Sequence, residues 1–148
     1  MNFAASIGRY SWMKVADVMT KEPVTIAAAE TVGQADELMA DNNIRQIPVV
    51  NGRDLVGIVT DRDIRSFLSG SLLGDPEARE RALRTPVCDI MTMEPIFVSP
   101  NDDLEEAVEL LIEEKICGIP VVDEAEGLVG IVTYIDLLRC FLNRIQED

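Results

Sequence analysis

Two kinds of hydrophobic pattern alternate along the chain in a fixed order. Ile47-Pro48-Val49-Val50 and Leu55-Val56-Gly57-Ile58-Val59 are short, continuous apolar runs rich in β-branched residues. Runs of this kind predict strands covered on both faces. Asn51-Gly52-Arg53-Asp54 between them has the chemistry of a hairpin turn. Upstream, residues 23–27 read as a further short strand. Val32, Ala35, Leu38 and Met39 then recur at helical spacing after Thr31, and Asp41-Asn42-Asn43 ends that helix. Gly33 weakens it by about 1 kcal/mol relative to alanine. Residues 61–68 predict a second helix with Ile64, Phe67 and Leu68 inward.

The whole pattern then recurs. Met19-Thr20 returns as Met91-Thr92, Glu22-Pro23 as Glu94-Pro95, and Ile47-Pro48-Val49-Val50 as Ile119-Pro120-Val121-Val122. Leu55–Thr60 returns residue for residue as Leu128–Thr133. The offset is 72 residues up to the second valine of the first apolar run and 73 after it, so one residue is inserted in the turn between two strands. A repeat this long is a duplicated supersecondary unit. The first helix of the second copy, residues 104–115, has an apolar stripe of Ala107, Val108, Leu111 and Ile112, with Asp102 and Asp103 at its dipole-favourable start. Strand, helix, strand, hairpin and helix predict an α+β fold of α/β type: per copy, a three-stranded sheet with two helices on one face, the copies packed as a pseudo-two-fold pair. The boundaries are an N-terminal extension over 1–14, copies over 15–68 and 87–142, a linker over 69–86 and a tail over 143–148. Within the linker, residues 77–83 predict a short helix. Tyr10, Trp12 and Met13 of the extension are expected to tuck against the body or a partner subunit.

Composition narrows the chemistry. Hydrophobic residues make up 47% of the 148 but aromatics only 5%, so aliphatic side chains must fill the core. No run approaches the roughly 20 apolar residues of a membrane span, and no signal-peptide pattern opens the chain, so a cytoplasmic protein without a membrane role is expected. Cys88, Cys117 and Cys140 are odd in number and widely spaced, unlike a disulfide framework or a zinc site. There is no histidine, which removes the commonest general base and transition-metal ligand. With no nucleophile beside a base and no cofactor fingerprint, an enzyme is not expected, nor an obligatory cofactor. The net charge of −14 disfavours nucleic acid. It is unevenly spread: residues 1–86 hold 10 basic against 12 acidic side chains, and residues 87–148 hold 3 against 15.

The Ile-Pro-Val-Val strand, the Gly-φ-φ-Thr-x-x-Asp strand-to-helix junction (φ an apolar residue) and the Asp-φ-Met-Thr opening, each present twice, resemble the CBS domain, and the tandem resembles a CBS pair, or Bateman module. The resemblance spans roughly residues 15–142. It implies a regulatory module that binds an adenosyl ligand (AMP, ADP, ATP or S-adenosylmethionine) in a cleft between the copies, a homodimer of pairs, and an effector protein whose identity the sequence does not give.

By this resemblance Asp63 and Asp136 would bind ribose, and Thr60 and Thr133 would contact ribose or phosphate. A carboxylate can accept hydrogen bonds from both ribose hydroxyls. The same Thr-x-x-Asp spacing also reads as a capping box, although aspartate reaches back less easily than glutamate, and both roles can coexist. Pro23, Val24, Ile47 and Pro48, with Pro95, Ile96, Ile119 and Pro120, sit at the family positions for an adenine slot; core packing is the alternative. Gly118 replaces Gln46 and opens space near a base. The prolines ahead of the valine pairs are expected at strand starts or edges. Lys21, Arg45, Arg62 and Arg65 in the first copy have as their counterparts Met93, Cys117, Ile135 and Leu138 in the second, all uncharged. The phosphate end of a nucleotide is therefore expected near the first copy, Arg65 being as well explained by solvent, and the pocket holding Asp136 is expected to have fewer cations. Two further readings stay open: a ligand-free homodimerisation module, and a divalent-cation sensor using Glu105, Glu106, Glu109, Glu113 and Glu114.

Overall fold

Each apolar run becomes a strand, and each strand set is completed by residues from the other copy. The structure is a computed structural model that describes residues 12–70 and 75–147. Tyr10, Gly74 and the last residue of the tail lie outside the described residues. The chain divides into two compact units: a middle unit, Pro23–Pro95, and a terminal unit formed by the chain up to Glu22 together with the chain from Ile96 onward.

The middle unit has a four-stranded sheet in the order β2-β3-β4-β5. β2 is Ile26–Ala27, β3 Gln46–Asn51, β4 Asp54–Thr60 and β5 Thr92–Met93. The strand expected over 23–27 is thus only two residues long, parallel to β3. β5 comes from the opening of the second copy and pairs antiparallel with β4, adding a strand to the three expected. Helices α1 (Val32–Asn42), α2 (Asp61–Ser69) and α3 (Pro76–Leu83) complete the unit. Thr31 caps α1 in a capping box with Gln34, and Asn43 ends it in the left-handed conformation. Ile26, Val32, Ala35, Met39, Ile47, Val49, Val59, Ile64, Leu68 and Val87 form the core.

The terminal unit repeats this with the roles exchanged. β1 (Thr20–Lys21), from the opening of the first copy, pairs antiparallel with β7 (Gly127–Thr133), which pairs with β6 (Gly118–Asp123). Helices α4 (Leu104–Glu114) and α5 (Tyr134–Glu147) pack against this sheet. Its core contains Val15 from the first copy, as the middle unit's core contains Val87 from the second. The backbone contacts match pairwise. Val15 N–H donates to the Asp102 carbonyl at 2.9 Å and Leu104 N–H to that of Met13 at 2.9 Å; Val87 N–H donates to Glu30 at 2.7 Å and Val32 N–H to Thr85 at 2.9 Å. In each pair the second bond satisfies a first-turn N–H that a helix cannot satisfy internally.

The exchange depends on two glycines. A Cβ on Gly57 would stand 2.4 Å from the Met91 sulfur and 2.9 Å from the Thr92 carbonyl oxygen; one on Gly130 would stand 2.7 Å from the Met19 sulfur and 2.9 Å from the Thr20 carbonyl oxygen. The opening segments lie this close because the strands beneath them lack a side chain there. Where the chain leaves and re-enters the terminal unit, Glu22 and Glu94, each before a proline, both have φ of 48°, a region that non-glycine residues seldom occupy.

One other expectation is overturned and one is met in part. Ile112, expected inward, is 69% exposed, and Leu104 buries with Ala107 and Leu111 instead. Of the prolines expected at strand starts or edges, Pro48 pairs with Ile58 inside the inner strand β3, and Pro120 pairs with Ile131 inside β6, the edge strand of its sheet. The Pro120 carbonyl accepts from Val98 N–H at 3.0 Å, so the proline nitrogen faces that same side and removes no bond to β7. The inserted residue lengthens the second hairpin, where Asp123 Oδ1 accepts from the N–H groups of Ala125 and Glu126. Trp12 and Met13 do engage the body, since Met13 is buried and Trp12 lies against the Arg144 guanidinium at 5.3 Å.

Gly57→Ala and Gly130→Ala are each expected to cost roughly 1–3 kcal/mol of stability, because a backbone carbonyl and not only a flexible sulfur must move; urea denaturation of the two variants measures this. Glu94→Val is expected to lose about 1–2 kcal/mol in the same assay while Glu94→Gly loses none, since only glycine takes the left-handed region without strain.

Candidate functional site

At both strand-to-helix junctions the sequence builds the same reciprocal cap. β4 ends at Thr60 and α2 begins at Asp61. Thr60 N–H donates to Asp63 Oδ2 at 2.9 Å, and Asp63 N–H donates to Thr60 Oγ1 at 3.1 Å. At the start of α5, Thr133 N–H donates to Asp136 Oδ2 at 2.9 Å and Asp136 N–H to Thr133 Oγ1 at 3.3 Å. Aspartate therefore reaches back far enough to close the box, and the capping role is real at both positions.

The two carboxylates differ in what else holds them. Thr20, delivered by the exchanged β1, donates its hydroxyl to Asp136 Oδ1 at 2.9 Å. Thr133 Oγ1 adds a contact of 3.0 Å to Oδ2, and Asp136 is only 8% exposed. Thr92, the counterpart of Thr20, makes no such bond to Asp63 among the described residues. Asp63 Oδ1 thus has no hydrogen-bond partner among them, and the side chain is half-buried. One oxygen of this carboxylate is already oriented by the cap; the other retains its acceptor capacity.

The candidate cations fall in both units. Arg45 and Arg62 flank the start of α2, the Arg45 carbonyl accepting from Asp61 N–H at 2.8 Å. Both side chains lack an ion-pair partner among the described residues. Arg65 is neutralised by an ion pair with Asp61 across one helical turn, as suits a solvent-facing position. Lys21 sits on β1 in the terminal unit, paired in register with Gly130.

The apolar candidates divide in the same way. Pro23, Val24, Ile47 and Pro48 are in the middle unit with Thr60 and Asp63, Ile47 and Pro48 being buried. Pro95 closes the middle unit, whereas Ile96, 39% exposed, opens the returning chain of the terminal unit. Gly118, Ile119 and Pro120 are buried in β6, with Gly118 opposite Thr133.

The terminal unit also contains an open cavity of about 610 Å³ between residues 13–20 and α5. Thr20 and Asp136 line it, together with Asp17, Arg139, Asn143, Arg144 and Glu147. The pocket holding Asp136, expected to have fewer cations, has Arg139 and Arg144 in its lining. Copy-to-copy comparison missed them because Arg139 aligns with Ser66; their shared face on an amphipathic helix with Asp136 was the available signal. Among the described residues, no group of three or more cysteine, aspartate or glutamate side chains is arranged to hold a metal, and the glutamates of α4 are exposed. No described helix is long and apolar enough to cross a membrane.

Comparison with known proteins agrees with this geometry. The uncharacterized protein MJ1225 of Methanocaldococcus jannaschii is 32% identical over 144 residues, covering 92% of this chain; the chain spans about half, 51%, of that relative's length. Among solved structures, CBSX2 in complex with AMP superimposes with a TM-score of 0.75 at 30% identity, covering 88% of this chain and 96% of that one. The CBS domain pair of protein MJ0100, in complex with 5′-methylthioadenosine and S-adenosyl-L-methionine, gives 0.75 at 27% identity, covering 89% and 98%. The CBS domain family profile matches residues 15–70 and again 87–143. With two complete matches and both Thr-x-x-Asp junctions formed, the chain belongs to the CBS domain family, as a tandem pair.

Proposed function

We propose that this chain is a regulatory module that binds an adenosyl ligand, with Asp63 as the ribose-binding carboxylate of the middle unit. The observation that carries this reading is the half-occupied carboxylate: Asp63 Oδ2 is fixed by Thr60 N–H, while Oδ1 has no partner among the described residues. A ribose diol offers two hydroxyl donors to such a group. Arg45 and Arg62 on either side of the helix start supply charge for a phosphate, and the backbone N–H groups of the first turn of α2 add to it. Two of the solved relatives hold adenosyl compounds, AMP in one and 5′-methylthioadenosine with S-adenosyl-L-methionine in the other. Ligand that binds only the folded state raises its stability by RT ln(1 + [L]/Kd).

A second reading is favoured by one feature. Tyr134, Ile135, Leu138, Phe141, Leu142 and Ile145 make an apolar stripe along α5 and are each 42–57% exposed in the single chain. Helical spacing keeps them on one face, which suits self-association into a homodimer. This reading and ligand binding are compatible; an effector protein would be a further partner.

Asp63→Asn separates capping from binding, because the asparagine carbonyl can still accept from Thr60 N–H. The variant is expected to keep its melting temperature while its affinity for AMP falls about tenfold by calorimetry, the loss of a charge-assisted hydrogen bond. Arg45→Ala and Arg62→Ala are expected to weaken ATP binding; unchanged ATP affinity in both removes the phosphate assignment. For the second reading, Leu138→Asp with Phe141→Asp is expected to shift the protein to monomer in native mass spectrometry.

A further inference from the structure

We propose that the cavity of the terminal unit selects an adenosyl ligand with a zwitterionic tail over a polyphosphate, and that Arg139, Asn143 and Glu147 read that tail. The inference rests on the adenosyl reading above and adds a ligand class and three specificity residues to it.

The lining decides the class. Two cations, Arg139 and Arg144, stand against three carboxylates, Asp17, Asp136 and Glu147, so the cavity carries a net negative charge. A triphosphate would enter against that charge, whereas a tail with one anion and one cation would not. Several of the charges are already committed. Arg144 lies over the Trp12 ring at 5.3 Å and reaches the Met13 sulfur at 3.9 Å. Asp136 is held by Thr20 and Thr133, and Asp17 accepts from Lys14 N–H at 2.8 Å. Arg139 and Glu147 are left without a hydrogen-bond or ion-pair partner among the described residues.

Their placement makes a graded row. Arg139, Asn143 and Glu147 follow one another at intervals of four along α5 and so share one ridge of the helix. The row runs from cation through amide to anion over about 12 Å at 1.5 Å per residue. Its anionic end coincides with the C-terminus of α5, where the helix dipole also favours a positive group. A carboxylate would lie toward Arg139 and an ammonium toward Glu147, with the amide able to donate to one and accept from the other. The middle unit offers the opposite chemistry, since Arg45 and Arg62 lack ion-pair partners among the described residues. The duplicated site would thus have become two sites sorted by ligand charge.

The test is calorimetry on the full chain with S-adenosylmethionine, 5′-methylthioadenosine and ATP. Methylthioadenosine keeps the thioadenosyl group and lacks the amino-acid tail. In Arg139→Met and in Glu147→Gln, S-adenosylmethionine is expected to bind about tenfold more weakly, as for loss of a charge-assisted hydrogen bond. Methylthioadenosine should stay within about twofold, and the exposed position of both residues predicts an unchanged melting temperature. Unchanged S-adenosylmethionine affinity in both variants overturns the proposal, as does an equal loss for methylthioadenosine. A chain that binds methylthioadenosine and ATP but not S-adenosylmethionine overturns it and leaves the adenosyl reading standing; a chain that binds none of the three overturns both.

Discussion

A methionine seated on a glycine, once in each unit, is the contact on which this architecture depends. Met19 lies over Gly130 and Met91 over Gly57, and each brings a short strand and a buried valine with it. The valines, Val15 and Val87, are fully buried, a burial that contributes about 1.5–3 kcal/mol apiece. In both contacts the methionine and the glycine come from different copies of the repeat. Neither copy is therefore a folding unit by itself: each lends its opening segment to the sheet of the other and receives one in return. The two matched sets of backbone hydrogen bonds, Val15 to Asp102 and Val87 to Glu30 among them, show that the exchange is built into the duplication.

That exchange also differentiates the two Thr-x-x-Asp junctions. The caps are alike, but Thr20 arrives at Asp136 on β1 and donates to it, while Thr92 makes no such bond to Asp63 among the described residues. The result is one carboxylate with both oxygens engaged and one with an oxygen unoccupied. Charge diverges alongside. Among the described residues the α2 junction keeps two arginines without an ion-pair partner, and the α5 junction opens on a cavity with mixed charge. Duplication supplied two equivalent frames, and small differences in hydrogen bonding and charge gave them different chemistry.

Much of this was legible in the sequence because it is local. The helix start at Thr31, the hairpin at Asn51-Gly52, the strands β3 and β4 and the short helix α3 follow from turn chemistry and short-range periodicity. The errors share a cause. Ile112 fits a helical stripe as well as Leu104 does, and only the packed sheet chooses between them. Lys21 belongs to the first copy, yet its strand β1 is completed on β7 of the terminal unit. Arg139 and Arg144 were overlooked because comparing aligned positions reveals lost charges more readily than gained ones.

The sequence by itself determined the repeated order of strands and helices, the family, and the Thr-x-x-Asp caps, since each is written in contiguous residues whose preferences act over a turn or two. Only the tertiary structure decided which copy's opening segment completes which sheet, which aspartate has both oxygens engaged, and which arginines share a cavity. Those outcomes depend on contacts such as Thr20 with Asp136, 116 residues apart. No local propensity encodes such a pairing; it follows from the close approach of one strand to another that a glycine permits.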